Sequence, residues 1–66
     1  MRNDYDMAVL AAAIEIKDEI GSLVPNFERA YELAAEAAEG MREPEASWFM
    51  GDIMNALNEL DMQDEI

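Results

Sequence analysis

Twice in this chain a glycine is followed four residues later by a proline, Gly21 by Pro25 and Gly40 by Pro44. Glycine tolerates the left-handed backbone just past a helix end, and proline opens a helix more readily than it continues one. The two breaks therefore divide the chain into three segments, within each of which apolar residues recur at the three- and four-residue spacing of an amphipathic helix. No Val/Ile/Thr-rich alternating run suggests a strand, threonine is absent, and there is no internal repeat. The first helix is expected from Asn3 or Asp4, either able to cap it, to Gly21. A second starts at Pro25 and Asn26, with the proline in its first turn or the asparagine as cap. It ends at Gly40 or runs on through 41–43 to Pro44. The third begins within 44–47 and reaches about Asp61, leaving a short acidic tail over 63–66.

At 100° per residue, the first helix carries Tyr5, Val9, Ala13, Ile16 and Ile20, with Leu10 and Ile14 beside them, on an apolar arc about 200° wide. Such an arc suits a helix packed against two neighbours, or against one neighbour and a partner chain. The second presents Phe27, Ala30, Tyr31, Ala34, Ala38 and Met41, together with Leu33 and Ala37. Its alanines allow close helix approach but bury little area each. The third presents Phe49, Ile53, Ala56, Leu57 and Leu60, with Met50 and Met54 at its flank. The expected fold is all-α: one domain, residues 1–66, built as a small three-helix bundle, with a four-helix arrangement as the alternative.

Composition sets what such a bundle can do. Of 66 residues, 16 are Asp or Glu and 4 are Lys or Arg, a formal net charge of −12. The 52% hydrophobic content separates the chain from acidic disordered tails, which bury too little to offset the entropy of ordering. With no cysteine and no histidine there is no disulfide, no Cys/His zinc site, no thiol nucleophile and no imidazole base. The acids show no calcium-loop spacing at 3–6 or 61–65. No catalytic residue, metal or cofactor is expected, and the chain reads as a binding protein rather than an enzyme. It has no run of 18 apolar residues and no secretory signal pattern, so a soluble, cytoplasmic protein is expected. Direct binding to nucleic acid or to an anionic membrane is disfavoured, because both are held by Lys and Arg. A basic partner is favoured.

Glu28, Glu32, Glu36, Glu39 and Glu43 are spaced 4, 4, 3 and 4. On a helix that continued through Gly40 they would lie within about 80° of circumference, as a stripe about 22 Å long with neighbours about 6 Å apart. The four neighbouring like-charge pairs at about 0.2–0.5 kcal/mol each would cost about 1–2 kcal/mol, offset in part by Arg29 with Glu32 and Glu39 with Arg42. The stripe is either a solvated face or a surface that meets a basic patch by imitating a line of phosphates. Glu15, Asp18 and Glu19 on the first helix and Asp52, Glu59 and Asp61 on the third would supply further rows.

Trp48, the single tryptophan, projects with Asp52, Asn55 and Glu59, away from the expected core face. It either folds back as a lid over the core or stands out as an aromatic anchor among acids, the residue type enriched at binding hot spots. Lys17, the single lysine, falls inside the first helix's apolar arc, where its stem can cover apolar surface while the ammonium reaches solvent or the last carbonyls. Six methionines offer core filling or an adaptable contact surface.

In size, composition and surface pattern, carried by Glu28, Glu32, Glu36, Glu39 and Glu43 and the acids around them, the chain resembles the small acidic inhibitors of bacteriophages and other mobile elements. These include anti-CRISPR proteins and nucleic-acid mimics. The resemblance implies a cytoplasmic inhibitor, in a bacterial host if phage-encoded. It would bind a basic nucleic-acid-binding protein or complex, such as a CRISPR-Cas effector, through Glu28, Glu32, Glu36, Glu39, Glu43, Trp48, Asp52 and Glu59. Those carboxylates would occupy the Lys and Arg residues that grip guide RNA or target DNA. The competing expectation is a non-inhibitory interaction or homo-oligomerisation module in which the acids serve solubility.

Overall fold

A computed structural model describes residues 4–64 of the chain. It is helical, with no strand among the described residues. Helix α1 spans Asp4–Ile20, a 3-10 turn spans Val24–Asn26, helix α2 spans Phe27–Ala37 and helix α3 spans Glu45–Asp64. Among the described residues, no helix is long and apolar enough to cross a membrane. The expected cap Asn3 and the last tail residues, Glu65 and Ile66, lie outside the described residues, while Gln63 and Asp64 extend α3 beyond its expected end at Asp61.

Each helix end has a local cause. Gly21, at φ +79°, lets the chain leave α1 as its N–H donates to the Lys17 carbonyl at 2.8 Å. Lys17 closes the same turn from the side, its Nζ donating to the Gly21 carbonyl at 2.5 Å. The ammonium therefore sits at the negative end of the helix dipole while its stem lies half-buried. Asn26 does not cap α2. Its side-chain amide donates backwards to the carbonyls of Ile20 (3.1 Å) and Ser22 (3.0 Å), so it ties off the end of α1.

α2 stops at Ala37, short of both expected ends. The N–H of Ala38 donates to the carbonyls of Ala34 and Ala35, Glu39 donates to Glu36 at 3.1 Å, and Gly40 turns the chain at φ +91°. The turn that follows belongs to α3: Ala46 donates to Arg42 at 3.0 Å and Trp48 to Pro44 at 3.2 Å, past a cis Glu43–Pro44 bond.

α1 packs most extensively against α3, and both also touch α2. The shared core comprises Val9, Ala13 and Ile16 of α1, Leu23 of the connection, Ala30 and Ala34 of α2 with Ala38 just past its end, and Ala46, Phe49, Ile53 and Leu57 of α3. Alanine supplies five of these eleven positions. Close approach at Ala13, Ala30 and Ala34 is what lets three short helices exclude water, and Ile53 and Leu57 are the largest fully buried side chains.

The core is narrower than the apolar arcs implied. Tyr5 and Ile14 at the margins of the α1 arc are exposed, as are Phe27, Tyr31 and Met41, contrary to the apolar face expected of the second helix. The Cα atoms span 35 × 30 × 15 Å. In so flattened a body the alanine line of α2 is the part covered by α1 and α3, and rings at the edge of the stripe or beyond its end have no neighbouring helix to cover them.

Candidate partner-binding surface

Trp48 lies in the first turns of α3 and is 63% exposed, which removes the reading of it as a lid over the core. Four and eleven residues further on, Asp52 and Glu59 project on the same side of the helix, over about 17 Å of its length. Phe49, one residue after Trp48, is buried. The orientation of the tryptophan is therefore set by the anchoring of its neighbour, since side chains one residue apart on a helix point about 100° apart.

Asp52 is held in place from α1. The Tyr5 hydroxyl donates to its Oδ2 at 2.5 Å, and the Tyr5 ring meets the buried Phe49 ring edge-on, with centroids 5.8 Å apart and planes at 65°. The hydrogen bond to Asp52 is the main reason the Tyr5 phenol is pushed up from 10 to about 12. Partial desolvation and the negative charges of Asp52, Asp6 and Glu45 act in the same direction. Glu59 lies at the rim of a shallow groove between α1 and α3, with Val9, Leu10 and Ala56 in it and Asp6 and Asp52 beside them. The structure thus brings Trp48, Asp52, Glu59 and Asp6 into one region, an aromatic ring at one end of a strip of carboxylates. Asp6 was not among the expected contact residues; only the pairing of α1 with α3 places it there.

The five-glutamate stripe does not exist as one line. Glu28, Glu32 and Glu36 remain exposed on α2, whereas Glu39 sits in the turn after Ala37 and Glu43 accepts a hydrogen bond from the Ser47 hydroxyl at 2.5 Å, serving the start of α3. The cause is the end of α2 three residues before Gly40. Arg29 donates to Glu32 at 3.3 Å and also to Glu19 of α1 at 3.5 Å, linking the two helices. Glu39 and Arg42 both lie beyond the end of α2, so the helical i,i+3 spacing expected to pair them is not formed.

Glu36 instead faces α1. It shares with Glu15 and Glu19 an open groove of about 300 Å³ that also contains Ala12, Ile16, Leu33 and Ala37. The acids of the α1 row are therefore neighbours of the α2 row, a relationship that spacing within either helix does not contain. Asp61 takes no part in any surface row. It is buried and accepts the Leu23 N–H at 3.1 Å. Among the described residues no three acids are grouped so as to hold a metal ion.

The chain matches no protein-family model, and neither a curated protein nor a solved structure is detectably similar to it.

Proposed function

We propose that this protein is a small three-helix bundle that binds a basic, nucleic-acid-binding protein or complex and covers the surface with which that partner grips DNA or RNA. This is the action of an anti-CRISPR-like phage inhibitor in the cytoplasm of a bacterial host. The observation that carries the reading is Trp48, a large ring 63% exposed in line with Asp52 and Glu59 on a chain of formal charge −12. Tryptophan is costly to leave in water and is enriched at the centres of interfaces. A field of one sign accelerates encounter with a basic surface, and carboxylates around a buried anchor pair with Lys and Arg as that surface is desolvated.

The phosphate-like row on α2 is three glutamates long. Glu28, Glu32 and Glu36 cover about 12 Å of helix, with Glu15 and Glu19 across the groove. This patch steers, while the Trp48 strip holds. No catalysis, cofactor or metal enters the mechanism.

The test is displacement of fluorescently labelled target DNA from a panel of purified CRISPR-Cas effectors at two salt concentrations. The expected result is displacement from at least one effector, weakened about 30-fold or more by Trp48→Ala, the change that matches about 2 kcal/mol at a hot spot. The triple reversal Glu28→Lys, Glu32→Lys, Glu36→Lys should slow association, and Glu39→Lys should have little effect. Absence of displacement across the panel, or displacement indifferent to Trp48→Ala in a variant with unchanged helical circular dichroism, would refute the proposal.

A further inference from the structure

Three apolar residues are exposed where the chain enters α2: Val24 of the 3-10 turn at 77%, and Phe27 and Tyr31, one turn apart on α2, at 55% and 53%. The core side of α2 is made by Ala30 and Ala34 instead, continued by Ala38 just past the helix. Beside this apolar strip, one residue further along, run Glu28 and Glu32. Val24, Pro25, Phe27, Glu28, Arg29 and Glu32 line an open cleft of about 470 Å³. Arg29, the single cation there, is bonded to Glu19 and Glu32. The cleft therefore offers hydrocarbon on one side and carboxylate on the other, with its one positive charge already paired.

We propose that this face docks a basic amphipathic helix of a partner protein. Apolar residues of that helix at i and i+4 would press on Phe27 and Tyr31, and its Lys or Arg residues would reach Glu28 and Glu32. Phe27 and Tyr31 are themselves i and i+4, about 6 Å apart along the axis, which matches one turn of an incoming helix. Charge selects this occupant. A second copy of the chain would bring another formal charge of −12 against the same glutamates, and an anionic bilayer would be repelled likewise. The surface shares Glu28 and Glu32 with the steering patch of the inhibitor reading but is made without Trp48, the residue that carries that reading, so Phe27 and Tyr31 variants test the one and Trp48→Ala tests the other.

The test uses the full chain and a dye-labelled 14-residue helix of leucine and lysine with leucines at three- and four-residue spacing. A scrambled peptide of the same composition serves as control. The amphipathic peptide should bind with amide shifts concentrated over residues 24–35. Its affinity should fall tenfold or more in the Phe27→Ser, Tyr31→Ser double variant, or in Tyr31→Gln alone should the double variant not fold. Glu28→Gln with Glu32→Gln should flatten the salt dependence, and Trp48→Ala should leave binding within twofold. Equal binding of the scrambled peptide, shifts located elsewhere, or a wild-type dimer in sedimentation that Tyr31→Gln dissolves would each overturn the proposal.

Discussion

Asp61, in the last turns of α3, is buried at 8% exposure and accepts the backbone N–H of Leu23 at 3.1 Å, across 38 residues of sequence. Leu23 is itself a core residue in the connection between α1 and α2. One carboxylate thus satisfies a buried amide that no helix pairs, and it fastens the connection to the far end of the chain.

Replacing this acid should cost more than any other single acid-to-alanine change in the protein. Asp61→Ala leaves the Leu23 N–H without its acceptor and is expected to lose about 1–3 kcal/mol. In a domain this small that is a Tm drop on the order of 4–8 °C per kcal/mol. Asp61→Asn, which keeps an acceptor oxygen, should recover part of the loss. Thermal unfolding followed by circular dichroism at 222 nm makes the comparison, and an Asp61→Ala protein as stable as the wild type would show that the contact contributes nothing.

The Tyr5–Asp52 bond should be visible as an alkaline transition. In a Tyr31→Phe background the phenolate absorbance near 295 nm should rise with a midpoint near 12, and Asp52→Ala should bring it down towards 10. The folded-state value is raised, which favours the protonated phenol. The bond's contribution to stability is therefore complete below the unfolded value near 10 and is lost as the pH climbs from there through about 12. A midpoint at 10 in the Tyr31→Phe protein would mean that the hydroxyl is not bound to Asp52 in solution.

Two glycines should respond to alanine with opposite signs. Gly40 turns the chain after α2 at φ +91°, a region where a Cβ is strained whatever the space around it, so Gly40→Ala should destabilise by about 1–2 kcal/mol. Gly51 lies inside α3 with nothing within 4 Å of an added Cβ. There Gly51→Ala should stabilise by about 0.5–1 kcal/mol, because it removes backbone freedom from the unfolded chain. Urea titrations of the two variants should move in opposite directions, and a stabilising Gly40→Ala would argue that α2 continues through that residue.

The existence of three helices, and their approximate bounds, was legible because each depends on neighbours in sequence. Apolar spacing, Gly21 and Pro44 act within a turn or two. The same locality explains what failed. The five-glutamate stripe required α2 to pass Gly40, but the helix stops at Ala37, and Glu43 turns to Ser47 instead. Asn26 has the composition of a cap for the helix that follows it and is spent on the helix before it. Both outcomes depend on how the two connections fold against the rest of the chain.

By itself, the sequence determined the helical class, the net charge and the line of small residues that lets α2 approach its neighbours, since these follow from residue type and spacing. Tertiary structure alone decided which part of each apolar arc is covered. Ala30 and Ala34 are buried while Phe27 and Tyr31 on the same helix face water, and Trp48 is exposed while Phe49 beside it is buried. It also decided which acids are surface and which are internal, pairing Tyr5 with Asp52 and Leu23 with Asp61. The physical reason is that a helix's apolar arc records only its capacity to be buried. Which residues lose contact with water depends on where the other helices lie, and in a body of three short helices there is not enough neighbouring surface to cover every one.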